Sequence, residues 1–95
     1  MTIIWRVRAL HDMQKIQAFV AAYSSAAHGY ETLVALHEQV NDLLVSPKRG
    51  RIDPRRPGTR YFIAPVGGQT YRVRYRLRGE RIYILRIRDT RQRDA

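Results

Sequence analysis

From Thr70 to Arg78 the chain reads TYRVRYRLR, with apolar and basic residues alternating one for one. Successive side chains of a β-strand point to opposite faces. One face of such a strand carries Tyr71, Val73, Tyr75 and Leu77; the other carries Arg72, Arg74, Arg76 and Arg78. Four like charges in a row repel, so the fold must leave that side open while the tyrosine side packs. Two readings satisfy the pattern: a solvated face of a half-buried antiparallel sheet, or a surface that meets something anionic.

Downstream, RGER reads as a tight turn and IYILRIR as a final strand. A three-residue loop over 78–80 sets Tyr75 opposite Tyr83, Val73 opposite Leu85 and Tyr71 opposite Ile87. A two-residue Gly79-Glu80 loop sets Val73 against Arg86 instead. A slip of one residue exchanges the faces of a strand. The first register is therefore expected, with Arg72, Arg74, Arg76, Arg86 and Arg88 together on the outer face.

Upstream, TIIWRV reads as a strand. From Ala9 the period changes: Ala9, Met13, Ile16, Val20 and Tyr23 recur at helical spacing. Ser24-Ser25 ends that helix and caps a second one, whose stripe is Leu33, Leu36, Val40, Leu43 and Leu44. So short a connection predicts an antiparallel helical hairpin. SPKRGRIDPRRPGT, with three prolines and two glycines, reads as a basic loop. RYFIAP and a Gly67-Gly68 turn precede the arginine strand. The expectation is a single α+β domain: strand 1–7, helical hairpin 8–46, basic loop 47–58, antiparallel three-stranded meander 59–88 and tail 89–95.

Charge follows this division. Residues 1–47 hold three bases and four acids, while 48–95 hold fifteen and four, so the net +10 of the 95 residues resides in the second half. Sixteen of the eighteen bases are arginine, whose rigid fork of donors matches phosphate and carboxylate. Segregation of this kind implies a positive face rather than diffuse basicity.

Other chemistry has little support. Zero cysteines exclude a disulfide framework and a thiolate metal site. His11, His28 and His37 lie on or beside the helices without metal-ligand spacing, and no nucleophile–base pair stands out. No cofactor, metal or small-molecule ligand is expected. Arg6, Arg8, Asp12 and Lys15 interrupt any secretory h-region, and no apolar run reaches the roughly 20 residues of a membrane span. A soluble cytoplasmic protein without membrane association is predicted.

The order of elements and several strings resemble the RelE/ParE superfamily of type II toxin–antitoxin toxins. Ala9, Asp12, Met13, Ile16, Phe19 and Val20 occupy the family's A-x-x-D-[LM]-x-x-I-x-x-[YF]-[IV] helix. Pro47, Gly50 and Arg51 match its P-x-x-G-R. Arg60, Tyr71, Arg72, Val73, Tyr75, Ile82, Ile84, Leu85, Ile87 and Arg91 fill its C-terminal strand pattern.

The resemblance covers nearly the whole chain. It implies a helical hairpin on a mainly antiparallel sheet, a plasmid-stabilisation type of role, and a cognate antitoxin with an acidic, amphipathic segment. That segment would lie over the hairpin, at Met13, Ile16, Val20, Leu36 and Val40, and along a sheet edge. It further implies one of two targets. RelE-like members cleave mRNA on the ribosome, and Arg72, Arg91 and Arg60 would be the matching residues. ParE-like members poison DNA gyrase without a catalytic set. Asp89 stands where many relatives carry His, and no Tyr or His follows Leu85. The ParE-like branch is therefore expected, with Arg60, Arg72, Arg74, Arg76, Arg86, Arg88 and Arg91 as the target- or anion-binding set.

Overall fold

The computed structural model describes residues 1–92; residues 93–95 of the expected tail lie outside the described residues. Strand β1 (Thr2–Trp5) leads into helix α1 (Val7–Tyr23) and helix α2 (Ala26–Asn41). A 3-10 turn (Asp42–Leu44) follows, then β2 (Arg51–Ile52), β3 (Arg60–Val66), β4 (Gln69–Arg78) and β5 (Arg81–Asp89). The five strands form one sheet in the order β1-β5-β4-β3-β2. Every neighbouring pair among β2–β5 is antiparallel, and β1 closes the sheet by pairing parallel with β5. This is the expected α+β architecture with one addition: β2 lies inside the segment read as loop, pairing Arg51 with Tyr61 and Ile52 with Arg60.

The helix breaks where the two serines stand. Ser24 caps the C-terminus of α1, and its backbone N–H donates to the Val20 carbonyl. Ser25 caps α2, its side-chain oxygen accepting from the His28 N–H at 3.0 Å. Ala9 and Met13 of α1, with Leu36, Val40 and Leu43, turn toward the sheet. They meet Phe62, Ala64, Tyr71, Val73, Tyr75, Ile82, Ile84 and Ile87, all buried. Leu44, read into the same stripe, is exposed because the 3-10 turn rotates it away from that face.

The last hairpin corrects the expected register. Arg78 pairs with Arg81, so the loop is the two-residue Gly79-Glu80 rather than three residues. Gly79 has φ +59°, which suits the first position of a tight hairpin turn and which a side chain would strain. That register pairs Leu77 with Ile82 and Tyr75 with Ile84. Continued unbroken, it would bring Val73 against Arg86. A β-bulge at Leu85 absorbs one residue of β5, so the ladder resumes with Arg74 opposite Arg86 and Val73 opposite Ile87. The apolar face is kept, but by a bulge rather than by loop length.

Candidate functional site

The arginine row of β4 is where the alternation puts it, on the side of the sheet away from the core, but several of its guanidinium groups are held by the chain itself. Arg74 is 5% exposed and reaches Asp53, Nη2 to Oδ2 at 3.1 Å, in an ion pair almost shut off from water. Across the ladder, Arg86 donates through Nε and Nη2 to the two oxygens of Asp12 at 2.8 and 3.2 Å. Directly opposed like charges destabilise a sheet pair. Here a carboxylate from the β2 side draws Arg74 one way, and a carboxylate from α1 draws Arg86 the other. Arg72 lies over the Tyr61 ring at 5.4 Å and has Arg88 as its cross-strand neighbour.

Arg60 is tied to the basic loop. Its Nη1 donates to the Gly50 carbonyl at 2.9 Å and, more weakly, to that of Lys48 at 3.5 Å. It thereby fastens the basic loop to the sheet. Tyr75 works from the core side of the same loop: its hydroxyl donates to the Pro47 carbonyl at 2.8 Å and accepts from the Gly50 N–H at 2.9 Å. Burial raises the Tyr75 pKa, keeping the phenol protonated as a donor. A Cβ on Gly50 would lie 2.7 Å from that ring, so Pro47 and Gly50 fit the loop against Tyr75. Arg49 covers the outside of this joint, 4.2 Å from the Phe62 ring centroid.

At the end of β5, Asp89 grips Arg91. Its Oδ1 accepts from the Arg91 backbone N–H at 2.9 Å and from Nε at 3.0 Å, and its Oδ2 accepts from Nη2 at 2.7 Å. The hydrogen bond from Arg91 holds the Asp89 carboxyl below its ordinary pKa, against the smaller opposing effect of burial. The neighbouring Tyr71 is shifted upward, by burial first and by Asp89 second. Lys15, Ile16 and Phe19 of α1 face Arg88 and Asp89 across a groove of about 650 Å³ that runs along this end of β5.

Four of the residues expected to meet the antitoxin lie in the core. Met13, Val20, Leu36 and Val40 are 5% exposed or less, and Ile16 is half-buried. The apolar stripe of this hairpin is the one its own sheet covers. The apolar surface that remains on the hairpin includes Phe19 and Tyr23, 62% and 56% exposed and packed edge to face at 5.2 Å. Leu10, Tyr30 and Val34 also remain outside. Elsewhere, His28 Nδ1 and Ser24 Oγ are hydrogen-bonded at 2.8 Å, and His37 packs on Trp5 at 4.7 Å. Among the described residues no group of His, Asp and Glu is arranged to hold a metal ion, and no helix is long and apolar enough to cross a membrane.

Asp12 and Asp53 are the residues that sequence reasoning missed. Asp53 carried a signal, being the one acid between Asp42 and Glu80. Asp12 was visible only as a motif position, with nothing to name its partner 74 residues away.

A helical hairpin on one side of a five-stranded sheet and a row of arginines on the other define an α+β domain with a basic open face. The family model described as the ParE toxin of type II toxin-antitoxin system, parDE, matches residues 3–94. The chain belongs to that family. A solved structure similar to it comes from the chromosomal ParDE TA system of P. aeruginosa, with a TM-score of 0.80 and 23% identity, covering 94% of this chain and 95% of that one. Likeness at that identity concerns the fold. No curated protein matches the chain in sequence.

Proposed function

We propose that this toxin inhibits DNA gyrase without catalysing a reaction of its own, and that a cognate antitoxin neutralises it. The docking surface is the outer sheet face, with Arg72, Arg76 and Arg88 at its centre and Arg86 and Arg91 held in place by their carboxylates; Arg74, enclosed with Asp53, supports that face from beneath. A guanidinium carries five N–H donors, more than one carboxylate takes, so such a pair orients the group toward an anion rather than silencing it. Arg60 contributes indirectly by fixing the basic loop beside that face.

The observation that carries the choice of target is the Asp89–Arg91 clamp. Cleavage of RNA needs a group that moves a proton at neutral pH, and a carboxylate held below its ordinary pKa is a weak base there. Tyr71, buried and shifted upward, is no better placed to act. An ionised aspartate beside an arginine at this position also repels a scissile phosphate. Stoichiometric docking on gyrase or its bound DNA needs no such group.

The antitoxin's acidic, amphipathic segment fits the groove between α1 and the end of β5. Ile16 and Phe19 offer apolar contact there, and Lys15, Arg88 and Arg91 offer positive charge. Gyrase supercoiling with purified toxin tests the reading. Accumulation of cleaved DNA, suppressed by adding the antitoxin, is expected. Normal supercoiling at large toxin excess, or cuts within translated codons in primer extension, would replace it with an alternative: a ribosome-dependent endoribonuclease in the second case, and an inactive homologue or plain nucleic-acid-binding module in the first.

A further inference from the structure

Alternation puts Tyr71 and Tyr75 on the covered side of β4, yet the open side of the sheet is not purely basic. Its rings come from the neighbouring strands. Tyr61 of β3 pairs with Arg74 and Tyr83 of β5 pairs with Arg76, so both share the arginine face, one on each flank of β4. Two strand spacings and two residues of rise separate them, about 12 Å. Both are half-buried. Each has an isoleucine of the same face beside it: Ile63 two residues further along β3, and Ile4 opposite Tyr83 on β1.

Each ring also has a guanidinium against it. Arg72 lies 5.4 Å from the Tyr61 centroid, and Arg6 lies 5.3 Å from that of Tyr83. Arg81 Nη1 reaches the Tyr83 hydroxyl at 3.5 Å. That hydrogen bond first, with the charges of Arg81, Arg6 and Arg78 adding to it, holds the phenol below its ordinary pKa. All three arginines are exposed.

We propose that the outer sheet face binds single-stranded DNA, with bases stacked on Tyr61 and Tyr83 and phosphates held by Arg6, Arg78 and Arg81. A nucleotide chain brings a planar base and a phosphate at every step, which matches rings set on both flanks of a cationic strip. In a duplex the base faces are already stacked on one another, so only unpaired bases can use the tyrosines. An acidic protein would supply carboxylates to the arginines but no regular succession of planar groups to the two rings. The choice of DNA over RNA rests on gyrase being the target; the stacking does not.

Fluorescence anisotropy with the purified full chain, at one fixed salt concentration, tests this with labelled oligothymidine, an abasic oligomer of equal length and charge, a duplex of that length, and oligouridine. Oligothymidine should bind, and the abasic oligomer and the duplex should each bind about tenfold or more weakly. Tyr61→Leu/Tyr83→Leu should weaken oligothymidine by about tenfold or more, whereas Tyr61→Phe/Tyr83→Phe keeps both rings and should stay within about twofold of the parent. An abasic oligomer or a duplex bound as tightly as oligothymidine would reduce the face to attraction by charge and overturn the proposal. Failure of oligothymidine to bind would overturn it as well, leaving the face to a protein surface. These comparisons use the unaltered chain, so they decide the matter even where the leucine variant does not fold. A folded leucine variant that binds like the parent would remove the rings from the site. Oligouridine bound about tenfold tighter than oligothymidine would make the ligand RNA and overturn the assignment to DNA. Gyrase is absent from the measurement, so this result and the supercoiling result stand or fall separately.

Discussion

Asp12 of α1 holds Arg86 of β5 across 74 residues of sequence, and the same Oδ2 that accepts from Arg86 Nε also accepts the Ile87 backbone N–H at 2.9 Å. β1 pairs with β5 only as far as Ile84, and the Arg6 N–H makes the last bond to that edge. Beyond it, a side chain of α1 substitutes for the missing strand. One carboxylate therefore docks a helix, completes a sheet edge and aims an arginine.

Asp12→Ala should accordingly destabilise the fold by about 3 kcal/mol, because it removes both carboxylate bonds of a partly buried guanidinium and leaves a buried N–H unpaired. Asp12→Asn keeps an acceptor and loses the charge, so its effect should be smaller. Urea denaturation of both variants measures the difference; equal stability of Asp12→Ala and the parent would show that the pair holds nothing.

The Arg74–Asp53 pair is more enclosed, with side chains 6% and 8% exposed. Removing one partner, as in Asp53→Ala, should cost about 3–5 kcal/mol. Replacing both, as in Arg74→Met/Asp53→Leu, should recover most of that loss, since two charges no longer need to leave water. Midpoints of chemical denaturation for the single and double variants check this.

Tyr75→Phe should cost about 1–3 kcal/mol by leaving the Gly50 N–H and the Pro47 carbonyl without their shared partner. The damage should concentrate in the basic loop. Amide hydrogen exchange should quicken at Gly50 and its neighbours while the β4–β5 ladder stays protected. Gly50→Ala should loosen the same loop by steric conflict with the Tyr75 ring.

The Asp89–Arg91 clamp predicts a pH dependence of definite sign. The Asp89 pKa is depressed in the folded protein, chiefly by the hydrogen bond from Arg91. Its contribution to stability is therefore complete above the unfolded aspartate value, near about 4, and disappears as pH falls through the lower folded value. Carboxyl chemical shifts followed by NMR should place the Asp89 midpoint below those of exposed aspartates, and Arg91→Gln should move it upward.

How much of this was legible in the sequence depends on range. Most of each helical stripe, the serine caps and the two-faced β4 strand follow from patterns among near neighbours and stand as read, while Tyr23 and Leu44 at the ends of the stripes are exposed. The hairpin register was misread because loop length was asked to do what the bulge does. Even so, the interval from Ile82 to Ile84 is two and that from Ile84 to Ile87 is three, which is the trace a bulged strand leaves. The burial of Met13, Val20, Leu36 and Val40 was not legible because an apolar stripe does not say whether its cover comes from within the chain or from a partner. The bonds from Arg60 to the basic loop were not legible because carbonyl acceptors, belonging to every residue, leave no mark in composition.

The parallel pairing of β1 with β5 joins the two ends of the chain. β1 can pair only once β5 has been made, and long-range pairing of this kind is slow and leaves edges open in the meantime. A copy synthesised only as far as β4 consequently lacks Arg86 and Arg88 and leaves β1 without its neighbour.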